Sequence, residues 1–252
     1  MRIAVPVVSA VLTAAHTPLK ATLLALTLNE VEGVRAILPQ IDRSWLHQII
    51  VVDGGSTDGT VEWCRAAGFE VYVQRRPGLR HAYVEVLPRV TGDVIVTMSP
   101  DGNCPPDAVP RLLDKVREGY DLVIASRYLD EARSEDDDVL TGFGNWLFTR
   151  TVNVLHGGRY TDCMGIYRAF TRTLVDDLDL HRDEGYALPE RLFGTIVSWE
   201  PLMSVRAVKR RVRIAEIAVS EPPRIGGTRK LQLFRWGAAY YFQFWRELWH
   251  WT

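Results

Sequence analysis

Five short apolar runs, separated by amphipathic segments, constrain this chain more than any other feature. They are Ala21–Leu28, Gln48–Val52, Phe69–Val73, Asp93–Met98 and Leu122–Ala125. Runs of this length that are apolar on both faces read as central strands of a parallel sheet. Between them lie helical patterns. Thr60–Ala67 stops at Gly68, Leu79–Val90 follows Pro77-Gly78, and Asp107–Glu118 stops at Gly119. A βαβαβ order of this kind predicts a doubly wound α/β unit over about the first 130 residues. Ligands in such sheets sit beyond the carboxyl ends of the strands. The polar clusters fall there: Asn29-Glu30, Asp53, Asp101 and Ser126-Arg127.

The second half is less regular. Glu131–Asp138 reads as an acidic linker and Gly142–Leu155 as an amphipathic helix. Cys163–Phe170 reads as a strand, Glu200–Lys209 as a helix and Val212–Val219 as another strand. With no repeat and no convincing linker between domains, the 252 residues are expected to form one domain. Its parts are a lead-in over 1–20, a ligand-binding half over 21–130, a second half over 131–230 and a tail over 231–252.

Composition removes several function classes. The three cysteines, Cys64, Cys104 and Cys163, show no CxxC spacing. That fits buried thiols in a reducing compartment better than a disulfide framework or a zinc site. The six histidines form no HExxH cluster. No apolar run reaches the roughly 18–20 residues of a membrane span. Met1–Ala15 lacks the basic start and cleavage pattern of an export signal, so a cytoplasmic location is expected. The net charge of -1 conceals a skew: residues 201–252 carry 10 basic and 3 acidic side chains. Nine of the 25 aromatic residues lie in Leu231–Thr252. A basic, aromatic tail suits an anionic or membranous partner, with peripheral contact at the inner membrane face, and not a nucleic acid.

Each candidate site residue also has an ordinary reading. Asp53 follows a buried apolar run and needs a partner. Asp58 is placed to cap the helix that starts at Thr60. Asp101 and Asn103 at a strand end suit a hard cation such as Mg2+, or simply a turn. Arg127, after Ser126, is placed to meet an anion. The basic glycine turns Arg75–Gly78 and Arg224–Lys230 either clamp phosphates, through Arg224, Arg229 and Lys230 in the second, or are solvated loops. Asp136-Asp137-Asp138 reads as a solvated linker, with metal binding the lesser alternative. Neither a dinucleotide fingerprint nor a P-loop is present.

Taken together, Thr27-Leu28-Asn29-Glu30 and Ile50–Thr60 resemble the start of family 2 glycosyltransferases, whose fold is GT-A: Rossmann-like, with a mostly parallel sheet flanked by helices. The resemblance continues through Gly78–Ala82, Ala125–Tyr128, Gly144–Thr149, Tyr167–Phe170 and Pro223–Gly227. It is strongest to the dolichol- and polyprenol-phosphate sugar synthases and their bacterial relatives. The resemblance implies that Thr27, Asn29, Glu30, Asp53, Gly78, Ser99 and Asp101 surround a nucleotide-sugar, a UDP- or GDP-sugar. It implies that Asp101 and Asn103 hold Mg2+ or Mn2+, with Ser99 standing where the family's first metal carboxylate would be. Arg127 and Asn145 would lie near the acceptor phosphate. Val139–Gly142, where a second acceptor arginine is common, carries no cation.

Negative charge develops on a departing nucleoside diphosphate. A cation at Asp101 and the basic loops would stabilise it. The acceptor would attack from the opposite face, inverting the anomeric centre. A phosphate acceptor needs no base. A hydroxyl acceptor would, and Asp162 and Glu200 are the candidates, unless each is a structural partner of an arginine. Three functions therefore follow: transfer to polyprenyl phosphate at the membrane, transfer to a soluble hydroxyl acceptor, or nucleotide-sugar binding without turnover. The tail is expected to be a C-terminal aromatic helix. One of its stripes is Phe234, Tyr241, Trp245 and Trp249; another is Leu233, Trp236, Tyr240, Phe244 and Leu248. Packing in the core, a homo-oligomer contact and a membrane surface are all open to it.

Overall fold

The structure, a computed structural model, describes residues 19–226 and 233–251. The expected lead-in lies almost wholly outside the described residues. Along the chain run β1 (Ala21–Thr27), α1 (Val31–Ile37), β2 (Gln48–Asp53), α2 (Thr60–Ala66), β3 (Glu70–Val73) and α3 (Leu79–Val86). They are followed by β4 (Val94–Met98), α4 (Ala108–Arg117), β5 (Leu122–Ser126), α5 (Val139–His156), β6 (Arg168–Thr171) and α6 (Leu174–Asp177). The remainder is α7 (Ala187–Phe193), α8 (Glu200–Lys209), β7 (Ile214–Ala218) and α9 (Leu233–His250).

All seven strands join one sheet in the order β3-β2-β1-β4-β6-β5-β7. Every pair is parallel except those of β6, which runs antiparallel between β4 and β5. The apolar runs form strands because both faces of the sheet are covered. Leu24, Leu26, Ile50 and Val52 face a core that includes α8 and α9, while Leu23, Ala25, Val51 and Val96 face one with α1 and α4. In α4 the buried positions Ala108, Val109, Leu112, Leu113 and Val116 follow the helical period. Strand order reverses at β1, which lies between β2 and β4, so a crevice opens beyond the carboxyl ends of β1 and β4.

Two expectations for the second half change. The strand expected over Cys163–Phe170 forms only at Arg168–Thr171. Before it the chain turns, because the Asp162 carboxylate accepts from the Met164 and Gly165 amides and bends the backbone away from the sheet. The acidic stretch at Asp136–Asp138 is not a solvated linker. Asp136 accepts from Asn103, Asp137 accepts from the Tyr128 hydroxyl, and Asp138 with Thr141 forms a capping box that starts α5.

The tail is a helix, and its two stripes separate. Tyr240 and Phe244 are buried and Trp236 packs on the same core, whereas Phe234, Trp245 and Trp249 are exposed. Polar contacts fix α9 in place. Arg206 reaches Glu247 at 2.9 Å with both side chains buried, and its guanidinium lies 4.8 Å from the Trp251 ring.

Candidate active site

The polar end of the crevice is built from the ends of β1 and β2. Asp53 is fully buried and accepts from the Thr27 hydroxyl at 2.8 Å, from the Gly55 and Ser56 amides at 2.8 Å each, and from the Ser56 hydroxyl. Its required partners are therefore its own loop and the Thr27 hydroxyl at the end of β1. Asn29, with φ of 54°, accepts from the Thr57 amide at 2.8 Å and staples the same loop to β1. Asp58 accepts from the Thr60 amide and also from the Val31 amide, so one carboxylate ties the starts of α1 and α2 together. Of the residues expected around a donor, Thr27, Glu30, Gly78, Ser99 and Asp101 line the crevice, while Asn29 and Asp53 do not line it and instead fix the adjacent loop at Ser56 and Thr57.

Beyond β4 the chain turns tightly at Asp101. One carboxylate oxygen accepts from the Asn103 amide at 3.1 Å. The other lies 2.7 Å from Arg224, whose guanidinium also reaches Glu30 at 3.4 Å. The Ile225 amide donates to the Asp101 carbonyl at 2.6 Å, seating the Pro223–Gly226 segment on this turn. Asn103 Oδ1 is buried with no partner among the described residues, and so is Arg224 Nε. An unpaired buried acceptor beside a carboxylate fits a hard cation that takes further oxygens from a diphosphate. Among the described residues no group of three or more His, Cys, Asp and Glu is arranged to hold a metal by itself. Arg229 and Lys230 lie outside the described residues.

Beyond β5, Arg127 meets Asp162 in a two-pronged pair at 2.7 and 3.1 Å. Glu221 lies 3.5 Å from the same guanidinium and Asp137 3.9 Å. Burial alone pushes the Asp162 carboxyl up, but Arg127 outweighs it and holds Asp162 below the usual aspartate range. Burial pushes Glu221 up, and the net shift stays upward despite Arg127. Asp162 is thus paired with an arginine, the structural alternative expected for it. Glu200 differs: it lines the crevice, is buried, and is held by the hydroxyls of Tyr83 and Ser198, with no side-chain cation paired to it among the described residues. Asn145 accepts weakly from Arg127 at 3.5 Å, and its buried Nδ2 has no partner among the described residues. Arg127 and Asn145 both line the crevice, and the Asn145 amide has a donor unused among the described residues.

Arg80 is buried between Asp183 and Glu190, and Arg76 pairs with Glu85. The three cysteines are buried free thiols, as composition implied, and burial pushes Cys64 and Cys163 up to about 12. Two residues at the site were not singled out from sequence. Glu221 follows the β7 strand end, the same kind of position as the other polar clusters. Gly33 lies inside α1, and a Cβ there would stand 2.4 Å from the Pro100 carbonyl oxygen and 2.9 Å from the Asp101 Cα. An isolated glycine in a helical pattern is a signal of such close packing.

The whole crevice has a volume of about 1110 Å3. Its polar end holds Glu30, Ser99, Asp101 and Arg224. Its other end opens between α5 and α9, past Leu140, Phe143, Phe234 and Trp236.

Comparison with known proteins identifies the family and the fold. Glycosyltransferase AglJ of Haloferax volcanii is 29% identical over 233 residues, covering 92% of this chain and 73% of that protein. A dolichyl-phosphate hexose transferase of the same organism is 29% identical over 215 residues, covering 84% of this chain and 87% of the relative. Glucosyl-3-phosphoglycerate synthase from Mycobacterium tuberculosis, solved in complex with Mn2+, uridine diphosphate and glucosyl-3-phosphoglycerate, superposes with a TM-score of 0.57 at 23% identity. That match covers 89% of this chain and 77% of the synthase, and it shows the shared GT-A fold. The model of the family described as Glycosyl transferase family 2 matches residues 27–179. The chain belongs to glycosyltransferase family 2.

Proposed function

We propose that the protein transfers a sugar from a UDP- or GDP-sugar to a polyprenyl phosphate at a membrane surface, with inversion and with a divalent cation. The observation that carries this reading is the two-ended crevice, polar at the strand ends and apolar where it opens between α5 and α9. A nucleoside diphosphate suits the first end and an isoprenoid chain the second. Arg127 and the Asn145 amide lie between them and suit a phosphate oxyanion. Such an acceptor is already ionised, so this chain need only orient it. Asp101 and Asn103 would hold Mg2+ or Mn2+, which supplies positive charge to the leaving diphosphate when bound.

The outer surface at the apolar mouth supports peripheral membrane contact. Among the described residues no helix is long and apolar enough to cross a membrane. Yet Phe143 and Trp146 stack on the outside of α5, Phe234 stands out from the start of α9 next to the exposed Arg235, and Trp245 and Trp249 stand out further along the same helix. Aromatic rings with a nearby cation favour the headgroup layer of an anionic bilayer. Truncating the tail would not test this, because α9 contributes Tyr240, Phe244 and Glu247 to the interior. The cleaner variant replaces Phe234, Trp245 and Trp249 with serine. Sedimentation with phosphatidylglycerol vesicles should show binding weaker by about tenfold or more, with an unchanged thermal midpoint. Undiminished binding would overturn the membrane contact.

A second reading has its own observation. Glu200 is a buried carboxylate facing the crevice, and a base is what a hydroxyl acceptor requires. Transfer assays with polyprenyl phosphate and with hydroxyl acceptors decide between the two. Transfer to the lipid phosphate that survives Glu200→Gln within about tenfold is expected. Transfer confined to hydroxyl acceptors and abolished by Glu200→Gln would overturn the lipid reading.

A further inference from the structure

We infer that Arg224 and the divalent cation compete for Asp101, and that the nucleotide diphosphate resolves the competition by drawing the Arg224 guanidinium onto itself. The inference rests on the metal reading of Asp101 and Asn103 given above. One Asp101 oxygen is engaged by the Asn103 amide, and the other lies 2.7 Å from Arg224. A cation that binds this carboxylate must displace the guanidinium or share an oxygen with it, and two like charges at one buried carboxylate repel.

The atoms left over show what would relieve the conflict. Asn103 Oδ1 is an unpaired buried acceptor, and Arg224 Nε an unpaired buried donor, on either side of the Asp101–Arg224 pair. A cation would satisfy the acceptor and a diphosphate oxygen the donor. Neither alone satisfies both. The loop that carries Arg224 is seated by backbone and packing contacts, and the guanidinium reaches a second carboxylate, Glu30, at 3.4 Å. Ile225 packs against Gly102, and Gly226, at φ of 68°, packs against Glu32. The Ile225 amide holds the segment to the Asp101 carbonyl. The guanidinium can therefore leave the carboxylate while its backbone stays near.

Linkage makes the consequence measurable. If the diphosphate removes a competitor from Asp101, nucleotide tightens metal binding, and metal tightens nucleotide binding by the same factor. The test is Mn2+ binding followed by the electron paramagnetic resonance signal of the free ion, with and without UDP, and with GDP in parallel. The parent protein should bind Mn2+ weakly alone and about tenfold or more tightly with nucleotide. Arg224→Gln should bind Mn2+ alone about tenfold more tightly than the parent, and nucleotide should add correspondingly less. Arg224→Lys, which keeps the charge, should stay close to the parent, and Asp101→Asn should lose binding in either background. If Arg224→Gln binds Mn2+ alone no better than the parent while Asp101→Asn abolishes binding, the competition is wrong and the metal reading stands. If no form holds Mn2+ with either nucleotide, the metal reading falls and the competition with it.

Discussion

Replacing Arg127 with alanine is expected to lower transfer by about a thousandfold and to destabilise the fold by about 3–5 kcal/mol. Both effects come from one guanidinium. It is the cation beside Asn145 in the crevice, and it is also the two-pronged partner of the fully buried Asp162. Removing it leaves the buried Asp162 carboxyl without its counter-charge, in company with Glu221 and Asp137. The pH dependence separates the two roles. Asp162 is held below the usual aspartate value in the folded protein, so the stability from its pairing is fully present above that value and is lost as pH falls through the folded value. The stability difference between parent and variant should therefore be largest near pH 7 and narrow below about pH 4. The double variant Arg127→Met with Asp162→Asn should recover much of the stability and none of the activity. Chemical denaturation at several pH values and an initial-rate assay measure both. Full activity in the double variant would remove Arg127 from the site.

Gly33→Ala should cost about a hundredfold in turnover and about 1–3 kcal/mol in stability, although Gly33 carries no functional group. Its hydrogen faces backbone: a Cβ would fall 2.4 Å from the Pro100 oxygen and 2.9 Å from the Asp101 Cα. Neither neighbour is a flexible side-chain end, so the turn bearing Asp101 must move or α1 must lift off. Ordinary glycine replacement in a helix favours alanine, which makes the sign of the effect a clear readout. Thermal melting and Mn2+ binding check it, and a stabilised, fully active Gly33→Ala would show that the turn yields without consequence.

Much of the first half was legible locally. Strands β1 to β5 and helices α2 to α4 lie within a residue or two of the apolar runs and helical patterns, apart from the last turn after α3, which is a 3-10 helix around Pro88. These elements are set by periodicity and by glycine stops, which neighbouring residues already carry. Position was legible in part: Glu30, Asp101 and Arg127 line the crevice, whereas Asn29, Asp53 and Ser126 do not. The tail was legible as a helix but not as to its facing, because both of its stripes are aromatic. Only packing against α5, α7 and α8 selects Tyr240 and Phe244 for the core and leaves Phe234 and Trp249 outside.

Side-chain roles were the least legible. Asp53 and Asp162 look alike as isolated aspartates, yet one is consumed by its own loop and the other by an arginine 35 positions away. Asp136 and Asp137 read as solvated charge until the loop folded back against Asn103 and Tyr128. By itself the sequence determined the strands of the first half and the helices α2 to α4 between them, because burial on two faces leaves a local pattern; α1, α6 and α7 were not read from it. The tertiary structure alone decided which charges neutralise one another. Arg224 meets Glu30 across 194 positions and Asp101 in the same crevice, and a Coulomb partner is chosen by distance in space, which local pattern does not encode.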